Sequence, residues 1–217
     1  MGLSERAQKF LYSFLQVGCQ MGGALFYSMR AFGRWNVPAK GGALLMVNHQ
    51  SMLDPMLAAL ALPRPVHFMA RDTLFKLRPF AWLIRSLNAF PVHRHTADLG
   101  AVKEAIRRLR SGAILLIFPE GTRTPDGQIG KIEPGVIMLA RRAKVPTIPV
   151  VIDGAFEAWP RHLRFPRLGT VRVMYGEAIP PEALKGMAPR DYVKRLRNQM
   201  VEMQHTLRRR YQRPLFE

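Results

Sequence analysis

An α/β fold, a single domain with a mostly parallel mixed sheet flanked by helices, is what this sequence predicts, and three observations carry the prediction. Short apolar runs such as Ala43–Val47, Ala113–Phe118 and Thr147–Ile152 are bounded by turn residues, the pattern of buried strands. Amphipathic stretches at helical spacing separate them, and strands alternating with helices give a mostly parallel sheet. At 217 residues, with no Gly/Ser/Pro-rich linker, the chain supports one sizeable core.

The first element is Phe10 to Met29, a 20-residue stretch without charge and about the length that spans a bilayer. Ser13, Gln16, Gln20, Ser28 and three glycines dilute it, so the expectation is a helix lying in or dipping into one leaflet. A buried core helix is the competing reading. Residues 1–35 thus read as an apolar membrane-associating segment, and 36–217 as the domain that carries the chemistry. Glu5 compromises the basic region of a secretory signal and no Ala-x-Ala-like cleavage site follows. Arg6 stands where N-myristoylation wants Ser or Thr.

Pro38 to Gly42 makes a break before the strand Ala43–Val47. Ser51-Met52-Leu53-Asp54 then has the form of a capping box, with Pro55 in the first helical turn and Met56–Leu62 carrying the helix on. Val66–Ala70 is a second strand. In the segment Arg71–Arg85, aromatic and aliphatic residues interleave with Arg71, Lys76, Arg78 and Arg85, a mixture suited to lipid headgroups and acyl chains together. Ala89–Val92 is a strand ending at His93-Arg94, and Ala97–Ser111 a basic amphipathic helix stopped by Gly112. Beyond the strand Ala113–Phe118, the pattern gives a helix over Gly135–Ala143 and strands over Thr147–Ile152 and Thr170–Met174. A last helix, Arg190–Arg210, places Val193, Leu196, Met200, Met203 and Leu207 on one stripe.

The 33 Lys and Arg against 15 Asp and Glu give a formal charge of +18, which draws the chain to a polyanion: nucleic acid, an anionic bilayer or an acidic carrier. Clusters such as Arg208-Arg209-Arg210 would serve nucleic-acid phosphates, yet no nucleic-acid motif accompanies them, so no nucleic-acid partner is expected. The lone Cys19 excludes an intramolecular disulfide framework and fits a reducing, cytoplasmic setting. His67, His93, His95 and His162 lack companions at metal spacing, so no metal is assigned.

Two polar islands interrupt apolar runs where strands emerge: Asn48-His49-Gln50-Ser51-Met52-Leu53-Asp54-Pro55 and Phe118-Pro119-Glu120-Gly121-Thr122-Arg123-Thr124. In the first, His49 precedes the helix turn, so the chain can fold back and let Asp54 fix its tautomer as a general base. In the second, a cation beside a glycine turn suits a phosphate or similar anion. No Gly-x-Ser-x-Gly elbow is present, so direct attack by a substrate hydroxyl is simpler than a covalent intermediate. A backbone N–H near the Gly121 turn is the candidate oxyanion donor. The bland alternatives are a core histidine beside a helix cap, and a structural Glu120–Arg123 ion pair.

His-x-x-x-x-Asp followed by Phe-Pro-Glu-Gly-Thr-Arg resembles the glycerolipid acyltransferases, in particular the 1-acylglycerol-3-phosphate acyltransferases, across roughly residues 35 to 180. Asn88 to Arg94 loosely matches that family's second motif and Val145 to Val150 its fourth. The resemblance implies that His49 and Asp54 are catalytic and that Glu120, Gly121, Thr122 and Arg123 bind the acceptor, with Arg94 a weaker binder. It implies no cofactor, an acyl-CoA or acyl carrier protein donor, a lysophospholipid acceptor, and work at an anionic membrane surface on the cytoplasmic face. The second motif departs from the family's, with Asn88 where Gly is usual and His93 where Asp or Asn is usual. That departure bears on the acceptor, and leaves glycerol 3-phosphate, a lyso-ornithine lipid or another lysophospholipid as alternatives.

Overall fold

Ala43–Val47 is buried at all five positions, as an all-apolar strand must be when both of its faces are covered. The computed structural model describes residues 5–93 and 98–216. Its strands are β1 (Arg30–Phe32), β2 (Ala43–Val47), β3 (Val66–Arg71), β4 (Ala89–Val92), β5 (Ile114–Ile117), β6 (Thr147–Asp153) and β7 (Arg172–Tyr175). They form one seven-stranded sheet in the order β1-β7-β6-β2-β5-β3-β4. Among the pairings between the named strands of the described residues, only β6–β7 is antiparallel, so the sheet is mostly parallel, as its alternating pattern predicts.

The helices are α1 (Glu5–Tyr27), α2 (Asp54–Leu60), α3 (Arg78–Ser86), α4 (Leu99–Arg110), α5 (Val136–Ala143), α6 (Ala155–Ala158) and α7 (Pro189–Arg210). Alternation along β2 sends Leu44 and Met46 to a core shared with Leu109 of α4, Ile137 of α5 and Leu196 and Met200 of α7. Ala43, Leu45 and Val47 face the other core, with Leu57 and Ala58 of α2 and Ala155 and Ala158 of α6. The chain therefore leaves β2 toward one face and β5 toward the other. β2 and β5 are neighbours, with Met46 opposite Ile117, and such a divergence opens a crevice at the carboxyl ends of the strands.

Several boundaries differ from the sequence expectation. Residues 30–32, grouped by pattern with the N-terminal segment, form the edge strand β1 and pair with Arg172, Val173 and Met174 of β7. Regular helix begins at Asp54, not at the Ser51 cap, because residues 51–53 form a turn that serves the site. The segment 71–85 divides into a short 3₁₀ turn, Asp72–Phe75, and α3, which Pro79 opens near its first position.

α1 is neither a buried core helix nor long and apolar enough to cross a membrane. Its polar residues point inward: Gln16 donates to the Leu62 carbonyl at 2.8 Å, and Gln20 to the Leu60 carbonyl at 2.6 Å. Tyr12 accepts from the Val66 amide. Phe14, Val17, Met21, Leu25 and Phe26 face outward, all more than half exposed. Among the described residues no helix is long and apolar enough to cross a membrane.

Candidate active site

The two islands meet across the crevice. His49 Nδ1 lies 2.8 Å from Asp54 Oδ2, and the same oxygen accepts the Gln50 amide at 2.6 Å and the Ser51 amide at 2.7 Å. The reach-back of a capping box thus forms, but its carboxylate also receives the histidine. That explains how a five-residue spacing works: the turn wraps around Asp54 Oδ2 before the helix begins. Asp54 is fully buried and its other oxygen, Oδ1, has no partner among the described residues. Burial pushes the carboxyl up, against the opposing hydrogen bonds from His49, Ser51 and Gln50. With Nδ1 committed to Asp54, Nε2 is the nitrogen left for proton transfer. The imidazole stacks on Phe118, ring centres 3.9 Å apart.

Backbone contacts lock the second island to the first. Glu120, buried, accepts the His49 amide on Oε1 at 3.1 Å and the Gly130 amide on Oε2 at 3.1 Å. Thr124 N–H donates to the His49 carbonyl at 2.7 Å. Both oxygens of Glu120 are therefore spent on backbone, and burial raises its pKa to about 7 despite those amides. A Cβ at Gly130 would sit 2.7 Å from Oε2, so only glycine lets the carboxylate in. Gly121 turns the loop with φ 69°, a left-handed conformation that favours glycine.

Gly121, Thr122 and Arg123 stand at the surface of this loop, Arg123 half-buried and the other two exposed. Arg123 pairs with no described residue; the structural ion pair with Glu120 is not formed. The Gly121 amide donates to the Phe118 carbonyl at 3.1 Å, so that particular N–H is not free for an oxyanion. Arg94 lies outside the described residues. A cavity of about 860 Å³ opens between α1 and the amino end of β5, at the opposite end of the strands, and holds none of these residues.

Two scaffold residues escaped the sequence reading. Asn48, fully buried, donates to the Ile152 carbonyl at 2.9 Å and accepts the Ile152 amide at 2.7 Å, extending the β2–β6 ladder through its side chain. Gln50, also buried, donates to the Gly127 carbonyl and accepts the Phe156 amide. In the second motif, Asn88 adopts φ 65°, and asparagine is the residue other than glycine that tolerates this region best. The departure from Gly there preserves the backbone. The His93 ring instead contacts Asp98 at 2.9 Å and Asp72 at 3.7 Å, and the Asp98 interaction, first, with Asp72 raises its pKa.

Comparison with known proteins gives the family. Residues 29–153, more than half of the chain, match the family model described as Acyltransferase. The chain is 28% identical to the 1-acyl-sn-glycerol-3-phosphate acyltransferase of Bacillus subtilis, over 67% of this chain and 71% of that protein. It is 31% identical to the Pseudomonas aeruginosa protein of that name, over 73% and 60% of the two chains. Plant chloroplast relatives are matched over only 40% and 38% of their length. Among solved structures, the 1-acyl-sn-glycerophosphate acyltransferase PlsC of Thermotoga maritima superposes with a TM-score of 0.79 at 27% identity, covering 95% of this chain and 84% of that one. With motifs, sheet and family model in agreement, the chain belongs to the acyltransferase family.

Proposed function

We propose that this enzyme transfers a fatty acyl group from an acyl thioester, on coenzyme A or an acyl carrier protein, to the free sn-2 hydroxyl of 1-acyl-glycerol 3-phosphate, giving phosphatidate. The observation that carries the reading is the 2.8 Å His49–Asp54 contact in a chain whose relatives bear that activity in their names. His49 Nε2 takes the hydroxyl proton as the oxygen attacks the thioester carbonyl, and Asp54 stabilises the imidazolium that forms. The tetrahedral intermediate collapses with loss of the C–S bond, and the imidazolium returns the proton to the thiolate. Arg123 supplies the acceptor's anion contact. Gly121 and Thr122 shape that contact, and Glu120 acts from behind by holding the His49 loop against the Gly121 turn.

The lipid substrates are met at a membrane. The outward stripe of Phe14, Val17, Met21 and Leu25 on α1 is accompanied by α3, which packs on α1 and exposes Phe80 and Trp82, with Leu77 exposed just before it. A helix with its apolar side outward binds the headgroup–acyl boundary, and the charge of +18 adds attraction to anionic headgroups. The N-terminal segment thus serves as the membrane-associating part and the remainder as the catalytic domain, at the cytoplasmic face. His93, placed between two carboxylates, favours a second reading with the same chemistry on another acceptor, such as a lyso-ornithine lipid or glycerol 3-phosphate. Thiol release measured with one donor and each acceptor in turn decides between them; indifference to lysophosphatidate overturns the first choice.

A further inference from the structure

β2 lies between β5 and β6 in the sheet, so the loops leaving β5 and β6 flank the His49 loop on either side. Between those outer loops is a cavity of about 380 Å³ lined by Thr124, Pro125, Phe156, Arg161 and His162. Two of its walls are tied directly to the first island. Thr124 donates its amide to the His49 carbonyl at 2.7 Å, and Phe156 donates its amide to the Gln50 side chain at 3.2 Å. The cavity is thus coupled to the histidine loop without containing His49.

Its chemistry is one-sided. The lining offers a guanidinium and an imidazole and no carboxylate. Arg161 and His162 are exposed and pair with no described residue, whereas Arg208 and Arg213, farther along, are spent on Asp153. The Thr124 hydroxyl is committed within its own loop, to the Asp126 carboxylate and the Gly127 amide, so it shapes the wall and leaves the charge to Arg161. A planar guanidinium fork next to a second N–H donor matches the oxygens of a phosphate ester. Phe156 and Pro125 give the apolar surface against which the rest of such a molecule can lie.

We infer that Arg161 and His162 form a phosphate-ester subsite in the cavity between the β5 and β6 loops, whose β5 wall, Thr124 and Pro125, directly follows Arg123. The inference rests on the acyl-transfer reading, in which the acceptor and a coenzyme A donor both carry phosphate esters. Arg123 and this cavity would then supply two anion contacts beside the His49 loop, one for each phosphate-bearing substrate.

The test separates the subsite from the reaction. Equilibrium binding of glycerol 3-phosphate and of adenosine 3′,5′-bisphosphate is measured on the full chain, wild type and Arg161→Gln, with melting curves as the folding control. Loss of a hydrogen bond to a charged group predicts weakening of about tenfold or more for one probe in Arg161→Gln, and a smaller loss in His162→Asn. Weakening for glycerol 3-phosphate assigns the subsite to the acceptor; weakening for the bisphosphate assigns it to the donor. Equal affinity of wild type and Arg161→Gln for both probes, or no binding of either, overturns the subsite. Wild-type turnover of lysophosphatidate, run in parallel, judges the acyl-transfer reading independently.

Discussion

The backbone amide of His49 donates to the Glu120 carboxylate at 3.1 Å, and this contact joins the two motifs at the level of the main chain. The other Glu120 oxygen holds the Gly130 amide, so one buried carboxylate fixes the start of the His49 loop and the middle of the loop that follows β5. A group so placed acts on chemistry through geometry. Small displacements of a general base matter, because misplacement on the order of 1 Å can cost about a hundredfold in rate.

Glu120→Gln should therefore lower kcat while leaving the KM for the acceptor close to wild type. The amide cannot accept from both backbone N–H groups, so one of the two contacts is released. Steady-state kinetics with acceptor varied at saturating donor check this; a rise in KM with unchanged kcat would mean that Glu120 touches the acceptor instead.

The same carboxylate sets a pH dependence of stability. Its folded pKa is about 7 against an ordinary 4.5, so the folded state holds the proton more tightly than the unfolded chain. The associated stabilisation is complete below pH 4.5 and is lost as pH rises through about 7. The loss amounts to about 3 kcal/mol, at 1.36 kcal/mol per pKa unit. Burial raises Asp54 and Asp153 as well, so the decisive quantity is the difference between wild type and Glu120→Gln. Denaturant unfolding across this window should show a shallower decline in the variant.

His49→Ala should reduce thiol release by about a hundredfold to ten-thousandfold, the range for a lost general acid–base group, with the fold retained because the ring is a surface of the crevice. Asp54→Asn should lose activity and stability together: its Oδ2 accepts three hydrogen bonds, from the His49 ring and the Gln50 and Ser51 amides. A folded His49→Ala protein with full activity ends the mechanism.

Arg123 gives the contrasting case. It pairs with no described residue, so Arg123→Gln should leave the melting temperature unmoved and raise the KM for the acceptor about tenfold or more. A loss of stability with unchanged KM would show instead a structural cation.

How much of this was legible in the sequence depended on how local the cause was. Strands β2 and β4 appear with the expected bounds because five and four apolar-rich residues between turn signals suffice to define them. β1 did not, since Arg30–Phe32 is only three residues with no alternation to read. The His49–Asp54 pair was readable as a possibility, but its contact depends on a turn wrapped around one carboxylate oxygen. Asn48, Gln50 and Glu120 show the limit most clearly. A polar residue in a motif looks the same in sequence whether it faces substrate or props up the backbone, and these three prop up the backbone. Only the neighbours in space, β6, the Gly127 turn and Gly130, distinguish the cases.

The last prediction concerns α1. Its inward face is held by Gln16 and Gln20 on the Leu62 and Leu60 carbonyls, while Met21 and Leu25 are 68% and 77% exposed. Replacing the two outward residues leaves every docking hydrogen bond intact, so Met21→Asp with Leu25→Asp should melt like wild type. The same change removes two apolar side chains from the lipid boundary, each worth about 1.5–3 kcal/mol when fully buried, and adds two negative charges facing anionic headgroups. Co-sedimentation with vesicles of mixed neutral and anionic phospholipid should fall at least tenfold. Added salt should weaken the wild type in part, by screening the basic surface, and leave the apolar share of the binding. Undiminished vesicle binding by the double variant would remove α1 from the membrane contact and leave α3 to supply it.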